Sequence, residues 1–326
     1  MKTLLFFLLA GLLLAFTAHA GTHDVRSDVR SGVWTAELKG DRLDLTIFRG
    51  SREGQRGVNL MGIEVALADL GLAKSAAESS AANVTFSLKR EAGTVAFDGR
   101  FATGDGAGQY KFAPNDAYER ELNALGYDEI SDNDMLVFAT HDLRIATIRD
   151  LIAAGQKPQR RQLDEIAVFH ITASLLREYA TLGFPDLTIR DAVQMRVGSV
   201  DAKFVNALRD LGYTNLSAHQ ISEMAILGAT PAYIRSLRDA GLLDLSPREA
   251  TKLRIGGITP QRIEELRRAG YTNLTAHQLS ELGIHGVTPT YIEELRKLGY
   301  QDLTPRQLID MKIHGATPAY IRSMKK

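Results

Sequence analysis

The sequence contains no cysteine in its 326 residues, and it has only one tryptophan and nine prolines. Without cysteine the chain forms no disulfide and offers no thiolate for catalysis, metal binding or lipid attachment. An excess of charge of one sign is also missing, because 39 basic residues balance 39 acidic residues. A neutral chain gives no electrostatic reason to expect nucleic acid or an anionic membrane as its partner.

Catalytic signatures are missing as well. The sequence has no His-Glu-x-x-His zinc motif, no Gly-x-Ser-x-Gly nucleophile elbow and no Walker loop. We therefore predict no catalytic residue, no metal ligand and no cofactor-binding residue. The chain is not expected to be an enzyme, unless its β-rich part holds a site without a sequence signature.

A long apolar run occurs only at the N-terminus. Residues 4–16 carry no charge and follow the basic Lys2, and Ala18 and Ala20 are the small residues that a signal peptidase recognises. This layout predicts a secretory signal peptide over residues 1–20, cleaved after Ala20. An uncleaved membrane anchor is the alternative, but a spanning helix needs about 20 apolar residues. We expect a periplasmic or secreted protein with no transmembrane segment after cleavage.

Residues 21–114 show the period-two alternation of β-strands. Segments 33–38 and 43–48 predict a hairpin, and segments 84–88, 94–98 and 109–112 predict a three-stranded antiparallel meander. Between the two groups, residues 63–72 predict a short helix and residues 76–82 a loop. The glycine-rich stretch 104–108 precedes a strand rather than a helix, so it predicts a hairpin tip and not a phosphate-binding loop.

The remainder of the chain, residues 115–326, is a repeat. Glycines recur every 28 or 29 residues at Gly126, Gly155, Gly183, Gly212, Gly241, Gly270 and Gly299. The regular period predicts about seven helical hairpins stacked as a solenoid, because one short hairpin cannot bury its apolar stripe alone. The predicted fold class is therefore α+β, a small antiparallel β domain followed by an all-α repeat domain.

Each unit carries its own helix boundaries. Thr304 is a predicted N-cap, Pro305 the first helical residue and Gln307 the partner of a capping box, while Thr317-Pro318 starts the second helix. Gly299 ends the helix before this unit, because glycine enters the left-handed conformation of a helix C-terminus at low cost.

Aromatic residues and histidines recur at fixed positions in the repeat. A row of tyrosines predicts either a stacking groove for peptide or glycan, or a packing seam between units. A row of histidines, with His141 and His170 as its first members, predicts either a metal or pH ladder, or a structural role in binding loop carbonyls. We favour the structural interpretation of both rows. The candidate partner-binding residues are Tyr233, Tyr291, Tyr320, His285 and His314.

These observations predict an exported, non-catalytic protein that uses its helical repeat to bind a protein, peptide or envelope polymer. No cofactor and no nucleic acid is expected. The sequence leaves the identity of the partner and the oligomeric state open.

Several segments resemble a group of exported bacterial proteins of uncharacterised function. The segments are residues 34–37, 90–94, 97–101 and 106–108 and the Ile-His-Gly-Val-Thr-Pro pattern at 284–289. They are also similar to the extracytoplasmic C-terminal part of some membrane metallopeptidases of the beta-lactam-sensor type. The peptidase zinc motif and membrane helices are absent, so the resemblance implies no peptidase activity. It implies a regulatory or sensor accessory module of an envelope protease or stress-response system, which is the alternative function.

A second resemblance concerns nucleic acid. Residues 255–266 are similar to helix-hairpin-helix motifs, which hold a phosphate at a glycine turn and a helix N-terminus. The predicted export signal and the neutral charge both count against DNA binding, which is a remote alternative.

Overall fold

A computed structural model describes residues 30–49 and 59–324. The predicted signal peptide, residues 1–20, lies outside the described residues. The chain divides into two units. The β unit contains the described residues up to Glu119 and the segment Glu129–Thr140, and the helical unit contains Arg120–Asp128 and the residues from His141 on. The fold class is α+β, as predicted.

The β unit is built on a curled, six-stranded antiparallel sheet. Its strands are β1 (Ser31–Lys39), β2 (Arg42–Arg49), β3 (Asn59–Ala66), β4 (Ala82–Arg90), β5 (Gly93–Ala102) and β6 (Asp105–Pro114). The strand order is β3-β2-β1-β6-β5-β4. The predicted hairpin is β1–β2 and the predicted meander is β4–β5–β6, and pairing of β1 with β6 joins them.

The prediction was wrong between these two groups. Residues 63–66 belong to strand β3, where Met61, Ile63 and Val65 are buried in alternation. Only the short helix α1 (Leu67–Leu70) lies within the predicted helix, and α2 (Lys74–Glu78) extends into the predicted loop. A strand followed directly by one helical turn combines the hydrophobic period of a strand with that of a helix within ten residues, so neither period can be recognised in the sequence.

An aromatic cluster forms the core of the sheet. Trp34 is fully buried, and its ring lies within 6.0 Å, centre to centre, of the rings of Phe86, Phe97 and Phe101. Its Nε1 donates hydrogen bonds to the carbonyls of Asp98 (3.2 Å) and Gln109 (3.1 Å). The tryptophan therefore ties β1 to both β5 and β6.

The glycines near this cluster lie inside a strand. The tip of the β5–β6 hairpin is Thr103-Gly104, whereas Gly106 and Gly108 belong to β6, so the predicted five-residue tip was too long. A Cβ at Gly106 would lie 2.6 Å from the Phe101 ring, and a Cβ at Gly108 would collide with the Asp98 carbonyl. Close approach of ring and backbone therefore requires glycine at both positions.

Two helices precede the regular repeat. Helix α3 spans Asp116–Ala124. Helix α4 (Asp132–Thr140) packs on β4, β5 and β6, and buries residues 135–140. Arg30 forms an ion pair with Asp132 of α4 at 2.8 Å.

The helical unit continues with thirteen described helices. They are α5 (Ile145–Ala153), α6 (Gln162–Phe169), α7 (Ala173–Thr181), α8 (Ile189–Val197), α9 (Ala202–Asp210), α10 (Ala218–Ile226), α11 (Pro231–Asp239), α12 (Pro247–Ile255), α13 (Pro260–Arg268), α14 (Ala276–Ile284), α15 (Pro289–Lys297), α16 (Pro305–Ile313) and α17 (Pro318–Met324). No helix in the described part of the chain is long and apolar enough to cross a bilayer.

The predicted boundaries of these helices are confirmed. Thr304 and Gln307 form the predicted capping box, and the same box occurs at Ser217 and Thr275. All seven predicted corner glycines have a left-handed backbone, with φ between 80° and 91°. A second left-handed position ends the first helix of each pair and is occupied by Gly228, Gly257, Gly286 and Gly315 in the later units.

The helices stack in two ranks. The first helices of successive units (α6, α8, α10, α12, α14 and α16) are neighbours, and so are the second helices (α9, α11, α13, α15 and α17). A recurring bond joins consecutive units. In α9, α11, α13 and α15, an arginine near the end of the helix donates to the carbonyl that ends the previous second helix. The four arginines are Arg209, Arg238, Arg267 and Arg296.

Candidate functional site

The tyrosine row lies in the seam between units. Tyr233 and Tyr291 are only 9% and 4% exposed. Their hydroxyls donate to the carbonyls of Ile258 (2.7 Å) and Ala316 (2.8 Å) in the following unit. Burial raises the pKa of Tyr233 to about 12. Both rings are thus packing residues that leave no open face for a ligand.

Tyr320 occupies the same position as Tyr291 one unit later and is 55% exposed. Among the described residues its hydroxyl has no carbonyl partner. The two tyrosines therefore differ in exposure although they occupy the same position of the repeat.

The two candidate histidines have different surroundings. His285 ends α14 and lies 3.6 Å from Glu281 on the same helix. His314 occupies the equivalent position at the end of α16 and is exposed. The structural role predicted for the histidine row stays a prediction for these two residues.

His141 and His170 occupy different positions of the repeat. His141 precedes the left-handed Asp142, just as His314 precedes Gly315. His170 itself is left-handed, with φ of 50°, and is the equivalent of Gly315. Helix α6 has eight residues where the other first helices have nine, and His170 follows Gly155 at a distance one residue shorter than that from Gly126 to Asp142. The predicted common phase was therefore wrong.

The shift brings these two histidines together. Their ring centres are 6.3 Å apart, and both rings line a cavity of about 220 Å³ with Asp142, Arg144 and Thr147. Burial, together with the neighbouring His170, lowers the pKa of His141 to about 4. Burial and Arg196 lower the pKa of His170, while Asp142 opposes this effect. Both imidazoles are therefore neutral at pH 7.

A feature that the sequence analysis missed is a row of exposed isoleucines. They are the last residues of α10, α12, α14 and α16, and their exposed fractions are 42% for Ile226, 57% for Ile255, 46% for Ile284 and 57% for Ile313. We call these four residues the isoleucine row. Their 29-residue spacing was visible in the sequence, but the same spacing also marks the buried rows.

Polar and charged residues share the face that carries the isoleucine row. Positions three and seven residues before each isoleucine lie on the same side of an α-helix. The nearer position holds Glu223, Lys252, Glu281 and Asp310. The farther position holds His219, Arg248, His277 and Arg306, all of which are exposed. Within the described residues Arg248 and Arg306 form no ion pair, so they are available to a partner.

The β unit carries a shallow polar depression on its outer face. It has a volume of about 470 Å³ and is lined by Asn83, Thr85, Asp98, Gly99 and Arg100, among others. These side chains come from facing positions of β4 and β5. Its wide opening and exposed walls are typical of a solvated sheet face.

The described part of the chain contains no group of three or more histidine, aspartate or glutamate side chains placed to hold a metal ion. No family model, no curated protein and no solved structure matches the chain. The resemblance to the beta-lactam-sensor group stays a prediction, and function is argued from the residues of this chain.

Proposed function

We propose that the chain is an exported, non-catalytic interaction protein that binds a protein or peptide along the first helices of its repeat, through the isoleucine row. The observation that carries this proposal is the exposure of four isoleucines at equivalent positions of consecutive units. Single exposed apolar residues are ordinary on protein surfaces, whereas an aligned set marks a contact surface.

The energetics of the row favour binding. Because each isoleucine is about half exposed, covering its remaining surface contributes about 1 kcal/mol. The four are held on helices that pack against each other, so little ordering entropy is lost when a partner covers them. The charged positions beside them supply the polar rim that specific interfaces have around an apolar centre.

A matched pair of variants tests the surface. Ile255→Glu with Ile284→Glu places two carboxylates in the middle of the row. Gln261→Glu with Thr290→Glu adds the same charge at exposed positions of α13 and α15, the second helices of the same two units. Each tagged protein is crosslinked in its own cell envelope, and its partners are identified by mass spectrometry.

We expect at least one partner that is captured by the wild type and the control variant but reduced about tenfold or more with the row variant. Equal capture by both variants would place binding elsewhere, and capture of nothing by any of the proteins would overturn the proposal. If the partner is a membrane peptidase or its regulator, the accessory-module alternative is the correct form of this function.

Export is tested separately by determining the N-terminus of the protein isolated from the envelope. The proposal requires a chain that begins at Gly21 and is found outside the cytoplasm. An intact Met1 on a cytoplasmic protein would contradict it.

A further inference from the structure

The cavity that His141 and His170 share is lined by the ends of two consecutive helical pairs. The two imidazoles come from equivalent turns of neighbouring units, with ring centres 6.3 Å apart and planes inclined by 61°. The cavity of about 220 Å³ has room for several water molecules. Among the described residues, this is the place where two histidine rings are in contact.

The ring nitrogens of these two histidines are not used in hydrogen bonds or ion pairs among the described residues. Within the described residues, neither His141 nor His170 forms a side-chain hydrogen bond or an ion pair, although Asp142 and Arg144 beside them pair with each other at 2.7 Å. His141 is partly buried, whereas His170 is exposed, so solvent reaches the pair. The two adjacent imidazoles are therefore accessible to a ligand that enters the cavity.

The backbone of His170 supplies a second observation. It is left-handed at φ 50°, at the position where Gly228, Gly257, Gly286 and Gly315 stand in the later units. Asp142 and Ser199 are left-handed at the same position of their own units, so three units carry a side chain there, and His170 is the one whose side chain meets a second imidazole.

We propose that His141 and His170 bind one divalent copper or nickel ion, each through one ring nitrogen, with water in the remaining coordination positions. These ions favour square-planar or tetragonal sites and bind imidazole more tightly than most first-row divalent metals. With metal–nitrogen bonds of about 2 Å and a ring radius of about 1 Å, two imidazoles on opposite sides of one ion have ring centres roughly 6 Å apart. The observed separation fits this arrangement.

The residues around the two imidazoles affect how tightly the site binds a metal ion. Both rings are in the neutral form that ligates metals, and the Asp142 carboxylate partly offsets the positive charge of Arg144 and Arg196. Two protein ligands are fewer than the four of a structural metal site, so we expect exchangeable binding rather than a permanently held cofactor.

The repeat itself supplies the variants for the test. His170→Gly introduces the residue that later units have at this position, and His141→Leu introduces the equivalent of Leu227. Both changes remove an imidazole without requiring a new backbone conformation. His285→Leu is the matched control, because this imidazole lies beside Glu281 and away from the cavity.

The probe is Cu²⁺ alone, added to the purified mature chain in a His23→Ala background. This background is needed because a free amino terminus at Gly21, followed by histidine as the third residue, would itself chelate Cu²⁺. Binding is followed by competition with a chelator and by electron paramagnetic resonance, and circular dichroism confirms that every variant is folded.

We expect one ion per chain with two nitrogen ligands in the resonance spectrum. Affinity should fall about tenfold or more in His141→Leu and in His170→Gly, and stay unchanged in His285→Leu. Equal affinity of the wild type and the double variant, one nitrogen ligand, or no saturable binding would overturn the site.

Discussion

The β unit and the helical unit are stabilised by different kinds of contact. In the β unit, Trp34 on β1 bonds to carbonyls 64 and 75 residues away, and its ring sits in one aromatic cluster. In the helical unit, the arginine bonds between consecutive units all span 27 residues, and they recur at four joints. One unit depends on a single set of distant contacts, whereas the other repeats a local contact.

This difference decides how the function of a residue can be recognised. A position in the helical unit has counterparts 29 residues away, so its ordinary role is visible and a departure stands out. Tyr320 departs from Tyr291 by its exposure, and His170 departs from the glycines by its side chain. The sheet offers no such internal reference. A destabilising substitution in the sheet should affect the whole β unit, whereas one at a joint between two helical pairs should have a local effect.

Phe97→Ala should have the largest effect. Phe97 is buried and stacks on Phe86 with ring centres 4.8 Å apart. Loss of the ring should cost about 3–5 kcal/mol of unfolding free energy. Trp34 is the only tryptophan, so its fluorescence during denaturation follows the β unit, while far-ultraviolet circular dichroism is dominated by the helices.

The fluorescence transition should move to lower denaturant while most of the circular dichroism transition stays in place. Equal shifts of both signals would show that the two units unfold together, and the contrast between them would then be wrong.

Acid should produce the next largest effect, through His141. The pKa of this imidazole is about 4 in the folded chain and 6.5 in its ordinary state, so the unfolded chain binds the proton more tightly. The contribution of the neutral His141 to the unfolding free energy is fully present above about pH 6.5. It is lost as the pH falls toward about 4, and the loss reaches up to about 3 kcal/mol.

The measurement is the unfolding free energy of the metal-free protein at several pH values, with His141→Leu as reference. The difference between the two proteins should change over this interval and stay constant above it. A constant difference throughout would show that His141 is not buried as described.

A smaller effect is expected from Gly283→Ala at the joint between α12 and α14. An added Cβ would lie 2.8 Å from the carbonyl carbon of Gly256 and would force the two helices apart, at a cost of about 1–3 kcal/mol. Hydrogen exchange should rise in α12 and α14 and stay unchanged in the sheet. Ala225 occupies the equivalent position two units earlier, so Ala225→Gly should cost about 1 kcal/mol or less.

Tyr291→Phe should have the smallest effect, about 1 kcal/mol, because it removes one hydrogen bond to the Ala316 carbonyl and leaves the ring in place. The control is Tyr320→Phe, whose hydroxyl has no such partner among the described residues, and its melting temperature should not change. A larger effect at Tyr320 than at Tyr291 would contradict the assignment of this row to the seam.

Much of the helical unit could be predicted because its boundaries are local. Thr304, Gln307 and the corner Gly299 act within a few residues of their own positions, so their sequence pattern is sufficient. The candidate site was predicted less well. Tyr291 and Ile284 both recur at the unit period, and nothing in their spacing tells which row the neighbouring unit covers.

The sequence by itself determined the unit length, the helix caps, the turn glycines and the alternation of five of the six strands, because each of these depends on interactions between near neighbours. Only the tertiary structure decided that β1 pairs with β6, that the tyrosine row is buried while the isoleucine row is exposed, and that His141 meets His170. These outcomes depend on which surfaces distant segments cover, and burial by a distant segment leaves no local mark in the sequence.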